Sequence, residues 1–167
     1  MNFINIILIT VMSFTNVNIS NNQIDFKQEL ITYETTFEKK VKEISSKHDL
    51  DYKDILAIAE VETKTQNLIG DKHLANKAYG YFQIRQVAVD EVNRIYGFQG
   101  IKKASELLNN EEKQIEYACY LLKHLKNNTK TEKQYITAYN MGLGSVKKGK
   151  TNNYYNKFLK ARGEILL

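Results

Sequence analysis

The chain has 167 residues, room for one ordinary domain and too few for two comfortable ones. A hydrophobic fraction of 43% supports a packed core, and a charged fraction of 26% excludes an intrinsically disordered chain. The net charge of +5 arises from 24 basic and 19 acidic residues scattered along the sequence, so no clustered basic face for nucleic acid is expected; an anionic polymer such as a bacterial cell envelope would suit the charge equally.

Residues 3–14 are apolar apart from Asn5, Thr10 and Ser13. That is the length of a signal-peptide core and too short for an ordinary spanning helix. No Lys or Arg precedes the run, the first being Lys27, and no small-x-small cleavage site follows. Residues 1–20 are expected to form a signal peptide, cleaved or kept as a membrane anchor through 3–14, with the chain exported; a buried N-terminal helix is the bland alternative. No cysteine stands directly after the run, so a lipoprotein is not expected.

The next segment, 21–48, carries Phe26, Leu30, Tyr33, Phe37, Val41 and Ile44 at steps mostly of three and four. This predicts an amphipathic helix over 24–48. "DLDYKD" begins a second helix, with Asp49 or Asp51 as N-cap, running to about Lys64. The polar stretch "TQNLIGDKHLANKAYG" reads as a loop. Helices are predicted over about 85–96, 101–109 and 152–162. Between them, Ile115, Ala118, Leu122 and Leu125 mark a core-facing stripe. Thr131 is placed to cap a further helix that stops at Gly142. No segment alternates for long, so the fold class is all-α, or mainly helical α+β, in a small single domain over 49–167. Cys119 sits in a helical apolar stretch and reads as a buried inert thiol. His48, His73 and His124 lack ligand spacing, so no metal site is expected.

The stretch "ILAIAEVET", 55–63, sets Glu60 and Glu62 in an apolar run. At about 100° per residue from Ile55, the large apolar side chains centre near ~320°. Glu62 falls near ~340°, inside that stripe, and Glu60 near ~140°, on the opposite side. Glu62 is therefore expected to point inward, where desolvation disfavours the anion and raises the carboxyl pKa. Such an acid can donate a proton to a leaving group and take one back. A buried Glu satisfied by a backbone or Arg partner is the bland alternative.

Two other stretches bear on the choice. "KAYGYFQIR", 77–85, flanks Gln83 with Phe82 and Ile84, which predicts its amide at the base of a groove. "ITAYNMGLGSV", 136–146, puts Tyr139 and Asn140 at a helix end beside glycines. Aromatic faces beside amides suit a sugar with N-acetyl groups.

Glu62-Thr63, "GYFQI" (80–84) and "AYNMG" (138–142), in this order, resemble the lytic transglycosylases of glycoside hydrolase family 23, of the lysozyme-like superfamily. The resemblance covers about 49–160, with "VDEVNRIYG" (89–97) and "KTNNYYNKFL" (150–159) as further likenesses. Thr63 stands where the family has serine, and Tyr81-Phe82 where it has Leu-Met. The family implies a lysozyme-like fold with a substrate groove. It implies cleavage of the bond between N-acetylmuramic acid and N-acetylglucosamine in peptidoglycan, with a 1,6-anhydro product and no metal or cofactor. Glu62 would be the catalytic acid and then base, Tyr139 would hydrogen-bond and orient it, and Thr63, Tyr81, Phe82, Gln83 and Asn140 would bind substrate or shape the site. The partner is then the peptidoglycan glycan strand, with action in the periplasm or cell envelope. Two other readings stand beside this one. One is a goose-type hydrolase using Asp71 as second acid. The other is a non-catalytic groove protein of a secretion or phage machine, in an envelope complex.

Overall fold

The computed structural model describes residues 35–97 and 100–165. The expected signal segment and the helix's first part, before residue 35, lie outside the described residues. Helix α1, Thr36–Lys47, opens with a capping box in which Thr35 and Glu38 satisfy each other's backbone amides. Its Phe37, Val41 and Ile44 face the core, against α2 (Tyr52–Thr63) and α4 (Glu111–Asn127). Asp51, not Asp49, caps α2, accepting from Lys53 N at 2.9 Å. Lys64 and Thr65, at φ 56° and 54°, turn the chain out of α2.

The loop after α2 contains what alternation could not signal: two strands of two residues each. β1 (Ile69–Gly70) pairs antiparallel with β2 (Ala78–Tyr79), Ile69 opposite Tyr79 and Gly70 opposite Ala78. Helix α3, Gln86–Tyr96, follows, then a 3-10 helix over Ala104–Asn109 in place of the expected α-helix. The Asn110 side chain caps α4, and Thr131 caps α5 (Glu132–Met141). Gly142, at φ 82° and ψ 146°, closes α5 and starts α6 (Leu143–Lys147), a helix too short for periodicity to reveal. That backbone region is essentially open to glycine alone. Helix α7, Tyr154–Glu164, lies along α2.

The core joins α1, α2, α4, α5 and α7 through wholly buried Val41, Ile55, Ile58, Ile115, Leu122, Ile136 and Phe158. Cys119 is buried and free, its thiol pushed up to about 12 by desolvation, so it is inert at neutral pH.

A buried amide locks the β-loop onto this core. Gln114, 0% exposed, accepts from Tyr81 N at 2.8 Å and donates to Leu107 O at 2.8 Å and Asn67 Oδ1 at 3.2 Å. Gly80 makes this possible. Its φ of 77° is left-handed, and a Cβ there would stand 1.9 Å from Gln114 Oε1.

Candidate active site

Helix α2 delivers the two glutamates to different surroundings. Glu60 accepts from Lys64 Nζ at 3.0 Å and Thr65 Oγ1 at 3.3 Å on the outer side. Exposed pairs of this kind stabilise by less than about 1 kcal/mol, so Glu60→Gln is expected to leave the thermal melt nearly unchanged. Glu62 turns the other way, into a cleft of about 600 Å³. Its Oε1 accepts from the Tyr154 hydroxyl at 2.7 Å.

Burial raises the Glu62 carboxyl above its ordinary value. The Tyr154 bond and the charges of Arg85 and Lys157 pull it back, while Asp71 pushes it further up. Tyr154 and Tyr139 are themselves pushed well above the ordinary tyrosine value, first by burial and then by the Glu62 charge. Both therefore keep their protons at any working pH and act as donors.

Five of the expected site residues line this cleft together: Glu62, Phe82, Gln83, Tyr139 and Asn140. Gln83 sits at φ 49°, and its Nε2 donates to Gly80 O at 2.9 Å and Leu68 O at 3.3 Å. Its Oε1 occupies the space a Cβ on Gly70 would need, 1.8 Å away, so glycine at 70 admits the amide. Asn140 accepts from Asn152 Nδ2 at 2.8 Å, and Asn152 Oδ1 accepts from Tyr154 N at 3.1 Å.

One expectation is corrected at this level, and two residues are found behind the cleft wall. Tyr139 does not hold Glu62 by a hydrogen bond: its hydroxyl donates to Phe82 O at 3.1 Å, and Tyr154 makes the carboxylate contact. Thr63 is buried outside the cleft lining. Its hydroxyl accepts from Gln66 N at 3.1 Å and has Tyr81 O at 2.9 Å and Ala59 O at 3.2 Å, tying the end of α2 to the β-loop. Tyr81 also lies outside the lining, its ring 4.5 Å from that of Phe37 and its hydroxyl donating to Glu111 Oε2.

Sequence reasoning missed the Arg85–Asp71 ion pair in the cleft wall. Arg85 also donates to Asn76 O, closing the 71–76 turn. At the far wall, Glu91 pairs with Arg94 and lies 3.7 Å from His124 Nε2. Tyr154 was within sight in "NNYYNKF", but which carboxylate it meets depends on a contact across 92 positions.

A 123-residue stretch, 39–161, matches the family model described as Transglycosylase SLT domain. The chain belongs to the SLT transglycosylase family. No curated protein matches the chain. The mainly helical fold with its small β-loop is that of a lysozyme-like SLT domain. SLT domains act on peptidoglycan, which makes peptidoglycan the substrate class of this one. The match begins within α1, at residue 39, so part of the helix expected to precede the domain falls inside the matched range.

Proposed function

We propose that this SLT domain cleaves the glycosidic bond between N-acetylmuramic acid and N-acetylglucosamine by transglycosylation, releasing a 1,6-anhydromuramoyl end. The observation that carries the reading is Glu62, a half-buried carboxylate in the cleft that, among the described residues, takes its hydrogen bond from a neutral donor, Tyr154. Burial shifts the Glu62 carboxyl upward, so it holds its proton to higher pH than an exposed glutamate, the direction an acid catalyst needs. Glu62 donates its proton to the glycosidic oxygen as the bond to the muramoyl C1 breaks. The resulting carboxylate then takes the proton of the muramoyl C6 hydroxyl as that oxygen closes on C1. Protons balance, Glu62 ends as it began, and no water enters.

This chemistry asks for one carboxylate, whereas most glycosidases work with two. The other described acids lining the cleft, Asp71 and Glu91, are paired with Arg85 and Arg94. A hydrolase using Asp71 keeps one observation in its favour, since Asp71 shares the cleft with Glu62. Digestion of purified peptidoglycan separates the two by mass. Transglycosylation gives muramoyl products one water lighter than the reducing-end products of hydrolysis.

Phe82, Gln83, Tyr139 and Asn140 are proposed to contact the sugar, with Thr63 and Tyr81 holding the loop behind them. Tyr154→Phe leaves Glu62 in the same apolar surroundings without its donor. Its pKa is then expected to rise further, and kcat to fall about tenfold, the scale of one charge-assisted hydrogen bond. Steady-state kinetics against pH on a soluble glycan-strand substrate checks this. Unchanged kcat and profile would remove Tyr154 from the mechanism. We further propose that residues 1–20 export the domain to the periplasm or cell envelope. Among the described residues, no helix is long and apolar enough to cross a membrane.

A further inference from the structure

The buried acid Asp54 takes no part in the chemistry above. It is 7% exposed, in the first turn of α2. Arg162, in the last turn of α7, donates from Nε to Asp54 Oδ1 at 2.6 Å and from Nη2 to Asp51 Oδ2 at 2.6 Å. Asp51 uses its other oxygen to cap α2. At the opposite end of the same helix pair, Tyr154 in the first turn of α7 meets Glu62 in the last turn of α2. The two helices thus run antiparallel, clasped at both ends.

The spacings match. Asp54 and Glu62 are eight positions apart on α2, and Tyr154 and Arg162 eight apart on α7. At about 1.5 Å per residue, each pair of anchors spans about 12 Å. A guanidinium held on two carboxylates therefore fixes the sliding position of α7, and with it the height of the Tyr154 hydroxyl over Glu62. The apolar contacts of Phe158 and Ala161 between these anchors add adhesion, but such contacts are non-directional. A forked guanidinium on two oxygens is directional.

We propose that Arg162 is a positioning residue of the active site, which sets the register of α7 on α2 and so holds Tyr154 on Glu62. The proposal rests on Glu62 being the acid only for its catalytic consequence; the coupling itself belongs to the fold. The charged and titratable groups around Arg162 are Asp51 and Asp54 from the α2 end, Glu132 and Tyr135 from α5, and Tyr155 from α7. Those around Glu62 are Tyr154 and Lys157 from α7, Tyr139 from α5, and Arg85 and Asp71 from the cleft wall. Tyr155, beside Tyr154, reaches the Arg162 cluster through Glu132, but neither it nor any member of that cluster is among the groups acting directly on Glu62, so the placement of α7 is the route from Arg162 to Glu62.

The test is an NMR titration of the Glu62 carboxyl in protein labelled at the glutamate side chains. Wild type is compared with Arg162→Leu, Tyr154→Phe, their double variant, and Asp51→Asn. The last keeps a cap acceptor on α2 while replacing the oxygen that receives Arg162, and it serves where Arg162→Leu does not fold. Loss of the Tyr154 bond raises the Glu62 midpoint, since that bond lowers it. Arg162→Leu and Asp51→Asn are expected to raise the midpoint in the same direction. Arg162→Leu is expected to add nothing in the Tyr154→Phe background. On glycan strands, Arg162→Leu is expected to lower kcat about tenfold with KM little changed. A fall in melting temperature with the Glu62 midpoint unmoved in both single clasp variants would reduce Arg162 to a purely structural role. So would an equal rise with and without Tyr154. The titration needs no substrate, so it stands or falls independently of whether wild type cleaves peptidoglycan.

Discussion

Glu62→Gln is expected to reduce strand cleavage by about a thousandfold or more, within the range that proton transfer by a placed side chain contributes. The amide keeps the size of the side chain and an oxygen to receive Tyr154, so the cleft keeps its shape and only the proton is lost. Turbidity loss of purified sacculi, followed with wild type and variant side by side, measures it. The same substitution carries a second signature in stability. Burial raises the folded-state pKa of Glu62 above its unfolded value, so the folded state binds the proton more tightly. The stability from that proton is complete below the unfolded pKa and is lost as pH rises through the folded one. The amide of the Glu62→Gln variant does not titrate. The variant is therefore expected to gain melting temperature relative to wild type as pH rises through that window, with the gain absent at acid pH. An inactive variant with no pH-dependent gain would mean that the carboxyl is not desolvated.

Gly80→Ala is expected to cost stability and activity together. The left-handed backbone at 80 charges a Cβ about 1–2 kcal/mol. The new methyl would also overlap Gln114 Oε1, which is fully buried and holds Tyr81 N. Moving that amide breaks a bond inside the core, worth about 1–3 kcal/mol when a group is left unsatisfied. Together these remove about 3 kcal/mol, a large share of the roughly 5–15 kcal/mol of a typical domain. A drop of about 10 °C in Tm follows for a domain of this size. Because 80–84 carries Phe82 and Gln83, cleavage should fall even below the melt. A melt within about 2 °C of wild type would mean that the loop relaxes freely, and that Gln114 does not hold it.

Much of this was readable in one dimension, and the reasons differ by residue. The inward turn of Glu62 and the outward turn of Glu60 follow from helical rotation alone. Helix caps at Asp51 and Thr131 are local chemistry and sit as expected. The strands β1 and β2 have two residues each, too few for any period. The left-handed Gln83 carries no sequence mark, because glycine is the residue usually found there. Tyr154 on Glu62, Tyr139 on Phe82, Tyr81 on Glu111 and Arg162 on Asp54 all join distant positions, each drawn together only by helix packing. The tyrosines illustrate the limit most clearly. Tyr154, buried, and Tyr139, partly buried, both stand beside Glu62, and which one bonds to it depends on the direction of each ring.

The central claim is that Glu62 drives an intramolecular displacement in which water takes no part. Digestion of purified peptidoglycan in 18O-labelled water tests it most directly, with mass spectrometry of the new muramoyl ends. Transglycosylation predicts 1,6-anhydro ends, one water lighter and free of label, in a reaction that Glu62→Gln abolishes. Reducing muramoyl ends carrying one 18O atom would contradict it, and would turn attention to Asp71 as the residue that places the water.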